Sequence, residues 1–301
     1  MGTATLTINT DHPVQSRFSL QLQDPIQLRL TLFSGQSFTW IEVDGWFHST
    51  IGGAHFCLAQ SCNGREILVT SSLSELQARR VLLHYLDEHI PYGAVRQELC
   101  ERDPLCAAAI PLAPGLRLLN QDPWETLVCF ILSACNNIPR VTKTVSSLKS
   151  LAGGIFPNPQ DILNAGDEFL RRAGAGFRAP YLVKAAQMVH EGTIDFESLR
   201  HLPTEQVIEE LTTIPGVGRK VASCVALFSL GKRDAFPVDV WIKRALEAAY
   251  FGGRSVSPLR LEKFARERFG ALSGYAQNWI YYWARTALRR SSSSTTLSSM
   301  T

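Results

Sequence analysis

Lys220 and Asp239 are the residues of this chain whose type and setting most directly offer chemistry. Lys220 closes the run Leu211-Thr-Thr-Ile-Pro-Gly-Val-Gly-Arg-Lys220, which continues as Val-Ala-Ser-Cys224, and Asp239 closes Phe236-Pro-Val-Asp239. The first run reads as a helix, a tight Pro-Gly-Val-Gly hairpin and a second helix with the lysine in its first turn. Gly216 and Gly218 let the backbone turn tightly and come close to a ligand. Free N–H groups at a helix N-terminus favour an anion such as a DNA phosphate, so Gly216, Val217 and Gly218 form a candidate phosphate-binding hairpin. The same macrodipole disfavours a cation at Lys220 and so favours the neutral amine. A neutral amine can form a Schiff base with a sugar carbon, and a nearby carboxylate can stabilise positive charge developing on a deoxyribose. Taken singly, these residues also read as a connector, a solvated lysine and an N-cap for the helix Val240–Tyr250. Cys224, at i+4 from Lys220, shares its helix face; spacing alone leaves it either functional or a buried small hydrophobe.

Four further stretches occur in the chain: Ser34-Gly-Gln-Ser-Phe-Thr-Trp40, Gln121-Asp-Pro-Trp124 running on to Asn136-Asn-Ile-Pro-Arg140, Gly174-Ala-Gly-Phe-Arg178, and Tyr275-Ala-Gln-Asn278. With the hairpin and Pro-Val-Asp239, they resemble the helix-hairpin-helix, Gly/Pro-Asp (HhH-GPD) superfamily of base-excision DNA glycosylases, specifically its 8-oxoguanine DNA glycosylase/lyase branch. The likeness runs from about Leu28 to Arg290. It implies an enzyme that excises oxidised guanine from duplex DNA through a Lys220 Schiff base assisted by Asp239, then nicks the strand by β-elimination. Gly35 would offer its carbonyl to the N7–H that distinguishes 8-oxoguanine from guanine. Gln277 would bond the Watson–Crick edge, and Tyr281 would stack on the flipped base opposite Cys224. An extruded base needs such a sandwich to offset its lost stacking. Asn136, Asn137 and Arg140 match the loop that enters the gap left in the duplex, and Phe177 and Arg178 match the wedge and its companion arginine.

On residue type alone, Gly35 also reads as a turn, Gln277 as a surface glutamine, Asn136-Asn137 as a turn or cap, and Tyr281 and Phe177 as core aromatics. The chain departs from the branch at three places. Cys135 precedes Asn136-Asn137 where three consecutive asparagines are common, Tyr281 stands where Phe is usual, and Trp241 stands where the best-known eukaryotic members have His. Two other functions compete. An alkylated-base (3-methyladenine-type) glycosylase can use the aspartate without the lysine, and a non-catalytic helix-hairpin-helix module needs only the glycines. Lys220 argues against the first, and Lys220 with Asp239 against the second.

The elements that must position these residues form an α+β chain. Domain 1–114 is expected to be an antiparallel β-sheet with helices: Leu28–Leu32 alternates, Phe38–Val43 and Trp46–Thr50 flank Asp44-Gly45, and His55–Ser61 and Glu66–Thr70 flank Asn63-Gly64. Asp-Gly and Asn-Gly between apolar runs are strong hairpin signals. A helix follows from Ser74 to about Leu86. Domain 115–290 is expected to be mainly α-helical, the HhH-GPD domain, with helices Trp124–Ala134, Ile138–Leu151, Asp161–Ala173, Ala179–Glu191, Thr204–Thr212, Arg219–Leu230, Val240–Tyr250, Ser257–Phe269 and Tyr275–Arg289. Val221, Cys224, Val225 and Phe228 make a core stripe that leaves Lys220 at its edge. The Ser/Thr-rich segment 291–301 is expected to be disordered.

Hydrophobic content of 45% and charged content of 19% are globular values. A net charge of +3 neither demands nor excludes DNA. The local basic clusters are Arg171, Arg172 and Arg178, Arg219 with Lys220, and Arg285, Arg289 and Arg290. The 7 cysteines form no C-x-x-C pair, and none lies beyond Cys224. That argues against a disulfide scaffold, a zinc site and the C-terminal iron–sulfur cluster of related glycosylases. The histidines show no metal-binding spacing, so no metal or cofactor is expected. No apolar leader or long apolar run occurs. The expectation is a soluble, intracellular monomer acting on damaged double-stranded DNA, in the cytoplasm or nucleoid of a bacterium or the nucleus of a eukaryote.

Overall fold

A computed structural model describes residues 14–295, with side chains described through residue 287. An antiparallel sheet of order β1-β5-β4-β3-β2 opens the fold, formed by β1 (Ser16–Gln21), β2 (Ile41–Val43), β3 (Trp46–Ile51), β4 (Ala54–Gln60) and β5 (Glu66–Ser71). Asp44 and Gly45 both take positive φ between β2 and β3, the backbone a two-residue hairpin requires. The edge strand β1, which pairs Ser16 with Ser71 and Gln21 with Glu66, is absent from the sequence reading. So is the Gly52-Gly53 turn between β3 and β4.

Leu28–Leu32, expected as an alternating strand, is instead the helix α1 (Leu28–Phe33). The correction has a packing cause. Leu28 and Leu32 enter the sheet core while Leu30 packs against the helical core, so apolar residues are needed on two sides of one short element. The sheet core is closed by α2 (Glu75–Tyr85), through Ala78, Leu82 and Tyr85. The next helices, α3 (Tyr92–Arg102) and α4 (Pro104–Ala109), precede residue 115, yet Val95, Leu99, Leu105 and Cys106 pack in the helical core.

That core is built by α5 (Pro123–Ser133), α6 (Ile138–Lys149), α7 (Pro159–Leu170), α8 (Ala179–His190), α9 (Phe196–Arg200), α10 (Thr204–Thr212), α11 (Arg219–Ser229), α12 (Val240–Tyr250), α13 (Pro258–Phe269) and α14 (Ser273–Thr295). The expected bounds of α10 and α12 coincide with the observed ones, α9 has no counterpart in the sequence reading, and the others differ by a few residues. Helix α14 carries the chain to Thr295, five residues into the segment expected to be a disordered tail; residues 296–301 lie outside the described residues. A buried polar seam joins the two cores. Arg117 pairs with Glu88, and Asp87 takes Arg233 at 2.7 Å and Tyr92 at 3.0 Å. The segment between α4 and α5 is pinned to α14 as Asn278 donates to Arg117 O at 3.2 Å. This pinning sets the sheet-side loop at residues 34–36 against α14.

Candidate active site

Lys220 owes its place to a tightly closed hairpin. Gly216 lies at φ +82°, and a Cβ there would fall 2.4 Å from Tyr181 Cγ, so only glycine lets α8 pack over the turn. Val217 is buried and its N–H bonds Ile214 O at 3.0 Å. Gly218 is extended, has open space around it, and heads α11 without a side-chain cap. The first-turn amides of α11 therefore keep their donors for a ligand.

Arg219, read from the sequence as half of a basic pair, is neutralised. Its guanidinium bonds Glu205 at 2.6 and 2.7 Å and Glu262 at 2.7 and 3.0 Å. These bonds raise its pKa and tie α10, α11 and α13 together behind the hairpin. Arg171 and Arg172 are paired likewise, with Asp167 and Glu168; the side chains of Arg289 and Arg290 lie outside the described residues.

The Lys220 ammonium sits 5.0 Å from the Phe130 ring centre, with the Cys224 thiol one turn along α11. Burial pushes that thiol up to about 11, against the pull of the Lys220 charge. Phe130 in turn stacks on Phe228 with ring centres 5.6 Å apart.

Asp239 does cap α12, its Oδ1 accepting from Trp241 N at 3.0 Å and Ile242 N at 2.8 Å. Both bonds end on one oxygen, so Oδ2 is left for a second task. Capping and chemistry are therefore compatible. Burial raises the Asp239 pKa, while the Ile242 amide, the Lys220 charge, the Trp241 amide and the Arg285 charge pull the other way.

Lys220, Asp239, Cys224, Gly35, Gln277 and Tyr281 line one cavity of about 60 Å³. Gly35 arrives from the sheet-side loop at φ +106°. Its neighbour Gln36 is anchored by bonds to Thr31 O at 2.9 Å and Arg117 O at 2.8 Å. Gln277 is buried and donates to Pro237 O at 3.1 Å, next to Asp239. Tyr281 lies one turn further on, its pKa raised by burial. Helix α14 is seated by Gly274, where a Cβ would meet Leu227 Cδ1 at 2.2 Å. That close approach sets Gln277 and Tyr281 against α11.

The remaining sequence candidates stand outside that cavity. Asn137 Oδ1 caps α6 by accepting from Arg140 N at 3.0 Å, and Asn136 donates to Leu132 O at 3.0 Å. Arg140 is exposed, and Phe177 projects at 59% exposure. Arg178, carried over as a companion of the wedge, is only 5% exposed. It donates to Ala134 O at 2.8 Å and Cys135 O at 3.1 Å while lying 4.2 Å from the Phe177 ring centre. Its donors are spent on the loop backbone, making it a strut beneath the wedge. Cys135 is exposed at φ +50°. Trp241 is half-buried with Arg244 over its ring at 5.7 Å.

Sequence reasoning missed Phe130, Phe228, Gln36, Asn278, Gly274 and Arg285. Gln36 and Asn278 stood inside quoted motifs beside Gly35 and Gln277, and Arg285 had its i+4 spacing from Tyr281 as a signal.

A helix-hairpin-helix whose second helix bears a lysine, facing a capping aspartate across a small recess, defines a class of DNA repair protein. The match confirms that class: residues 128–270 fit the HhH-GPD superfamily base excision DNA repair protein family. Residues 19–127 fit the 8-oxoguanine DNA glycosylase N-terminal domain. The N-glycosylase/DNA lyase OGG1 of Arabidopsis thaliana is 32% identical over 85% of this chain and 76% of its own length. The solved structure of MBOgg1 in complex with a low affinity DNA ligand superposes with a TM-score of 0.84 at 32% identity, covering 92% of this chain and 99% of that one. The Clostridium acetobutylicum 8-oxoguanine glycosylase/lyase, in complex with double-stranded DNA containing cytosine opposite 8-oxoG, gives 0.81 at 30% identity over 90% of this chain and 98% of that one. The chain belongs to the 8-oxoguanine DNA glycosylase family within the HhH-GPD superfamily. Among the described residues no helix is long and apolar enough to cross a membrane.

Proposed function

We propose that this protein excises 8-oxoguanine from duplex DNA and then nicks the strand at the resulting abasic site. The observation that supports this best is the convergence of Lys220, Asp239, Gly35, Gln277, Cys224 and Tyr281, from three distant parts of the chain, on one cavity. The Lys220 amine, once deprotonated, attacks C1′ of the flipped nucleotide, and the base departs with the electron pair of the broken glycosidic bond. The Asp239 carboxylate stabilises positive charge building on the sugar. Ring opening yields a Schiff base, and loss of a C2′ proton expels the 3′ phosphate.

The protein works as a monomer without metal, iron–sulfur cluster or organic cofactor, in the nucleoid or nucleus where its substrate lies. The test is strand scission on duplexes carrying 8-oxoguanine opposite cytosine, 3-methyladenine or a preformed abasic site. Scission is expected on the first and third. Faster release of 3-methyladenine than of 8-oxoguanine would sink the assignment in favour of an alkylated-base enzyme.

The Gly216-Val217-Gly218 hairpin holds a phosphate through backbone amides, regardless of base sequence, with the Val217 amide itself spent inside the turn on Ile214 O. Gly218 is extended with nothing near its Cβ position, so aspartate fits without strain and can cap α11. Gly218→Asp is expected to keep the melting temperature or raise it. Affinity for damaged and undamaged duplex alike should fall roughly tenfold or more, because like charges facing across an interface are costly. A loss confined to damaged duplex would place the hairpin in base recognition instead.

The Asn136–Arg140 loop enters the gap left by the flipped nucleotide and faces the orphaned cytosine, with Phe177 as the wedge beside it. A thiol hydrogen-bonds weakly, whereas an asparagine amide both donates and accepts. Cys135 sits at φ +50°, a backbone that asparagine adopts readily. Cys135→Asn is therefore expected to fold normally. It should widen the preference for 8-oxoguanine opposite C over A about fivefold, the worth of roughly one net hydrogen bond. An unchanged or narrowed ratio would show that Cys135 does not face the orphan base.

A further inference from the structure

Arg285 touches no reacting atom in the chemistry above, though its charge favours the Asp239 carboxylate, and it lies behind the wall of the cavity. Its Nη1 donates to Ser34 O at 3.0 Å, and its charge pulls the Tyr281 pKa down against the effect of burial. A Cβ built on Gly35 would stand 3.3 Å from Tyr281 Oη and 3.8 Å from Arg285 Nη1. The guanidinium, the phenol and the Gly35 turn thus meet at one point. On its other side Arg285 borders a groove shared with Arg29, Phe33 and Tyr282.

We propose that Arg285 is the positioning residue for base recognition, clamping the Ser34–Gly35 peptide so that the Gly35 carbonyl keeps its aim at the base. This rests on the functional reading above. Ser34 C=O and Gly35 N–H belong to one planar peptide, so a donor on that carbonyl holds one side of Gly35. Glycine, without a Cβ, is otherwise free to swing, and Gly35 already sits at φ +106°, a region other residues rarely adopt. Recognition depends on this aim because guanine and 8-oxoguanine differ at N7, where one accepts and the other donates a hydrogen bond. A carbonyl that turns away forfeits the one contact that reads the difference.

The clamp also accounts for Tyr281 in place of the usual phenylalanine. A largely buried phenol is best placed beside a polar group, and the Arg285 guanidinium, which shares the Gly35 corner with it, is that group. An abasic site has no base to read, so the clamp matters for excision and little for β-elimination.

The experiment measures two single-turnover rates on each protein, excision from an 8-oxoguanine:C duplex and β-elimination on a preformed abasic duplex. Arg285→Met keeps the aliphatic stem and removes the donors. Its excision is expected to fall about tenfold or more, as for loss of a hydrogen bond from a charged donor, and its ratio of excision to elimination at least fivefold. Arg285→Lys, which retains one donor, should recover part of that ratio. A ratio within twofold of wild type in Arg285→Met, with both rates kept or both lost together, overturns the clamp. Wild-type protein that releases no 8-oxoguanine overturns the functional reading itself, an outcome distinct from excision with an unchanged ratio in the variant.

Discussion

Borohydride reduction in the presence of abasic duplex should trap a covalent protein–DNA adduct with the wild-type chain and none with Lys220→Gln. The variant should lose strand scission by about a thousandfold or more, the scale on which removing a covalent nucleophile acts. Glutamine keeps length and polarity, so the substitution takes away the ammonium's approach to the Phe130 ring and the pull of its charge on the Cys224 thiol. Neither carries the fold, and duplex binding through the hairpin should persist. No other lysine lines the cavity among the described residues. Lys232 is held by Arg200 O and Leu202 O at 2.7 and 2.6 Å, and Lys243 is paired with Glu247. An undiminished adduct in the variant would therefore remove Lys220 from the chemistry and reopen the search for the nucleophile.

Asp239→Asn should separate capping from catalysis. Asparagine retains the oxygen that accepts from Trp241 N and Ile242 N, and it is as good a cap as aspartate. Loss of the negative charge should nonetheless slow excision by about 10²–10³, the range seen when a preorganised electrostatic group is removed. Free substitution would mean that Asp239 is a cap and nothing more. Burial raises the Asp239 pKa, which has two consequences of opposite sign. Excision needs the carboxylate, so wild-type excision should rise with pH through that raised pKa, with its acid limb displaced upward from that of an ordinary aspartate. Stability runs the other way. A carboxyl with a folded pKa above its unfolded one contributes stability that is fully present below the unfolded value and is lost as pH rises through the folded value. Ionised Asp239 therefore costs stability at neutral pH, and Asp239→Asn should melt at or above the wild-type temperature there, an advantage that vanishes in acid. An active-site charge held at the expense of stability is a common exchange.

Much of the fold was legible because its signals are local. Asp44-Gly45 announced a hairpin, and apolar spacing near 3.6 located α10 and α12 to the residue. The cavity-lining residues were legible for a different reason. Lys220 and Cys224 share a helix face, as do Gln277 and Tyr281, and each such pair keeps its relation wherever its helix goes.

Four features resisted local reading. Leu28–Phe33 alternates like a strand and becomes a helix because two cores claim its sides. Arg219 and Arg178 look like free cations and are spent, one on Glu205 and Glu262, the other on the carbonyls of Ala134 and Cys135. Asn136-Asn137 read as a turn or cap and Asn137 is one, but only the fold shows that Cys135 faces outward while Asn136 turns back to Leu132 O.

The amino-acid sequence by itself determined the chemical inventory: an amine and a carboxylate each at a helix start, glycines where backbone must approach a ligand, and the helices that carry them. Tertiary structure alone decided which charges stay available and which loops are held still. Arg285 meets Ser34 across 251 positions of sequence, and Arg219 meets Glu262 across 43. Helical and strand periodicities carry information over a few residues, whereas an ion pair or a peptide clamp is set by packing between elements that no local pattern relates.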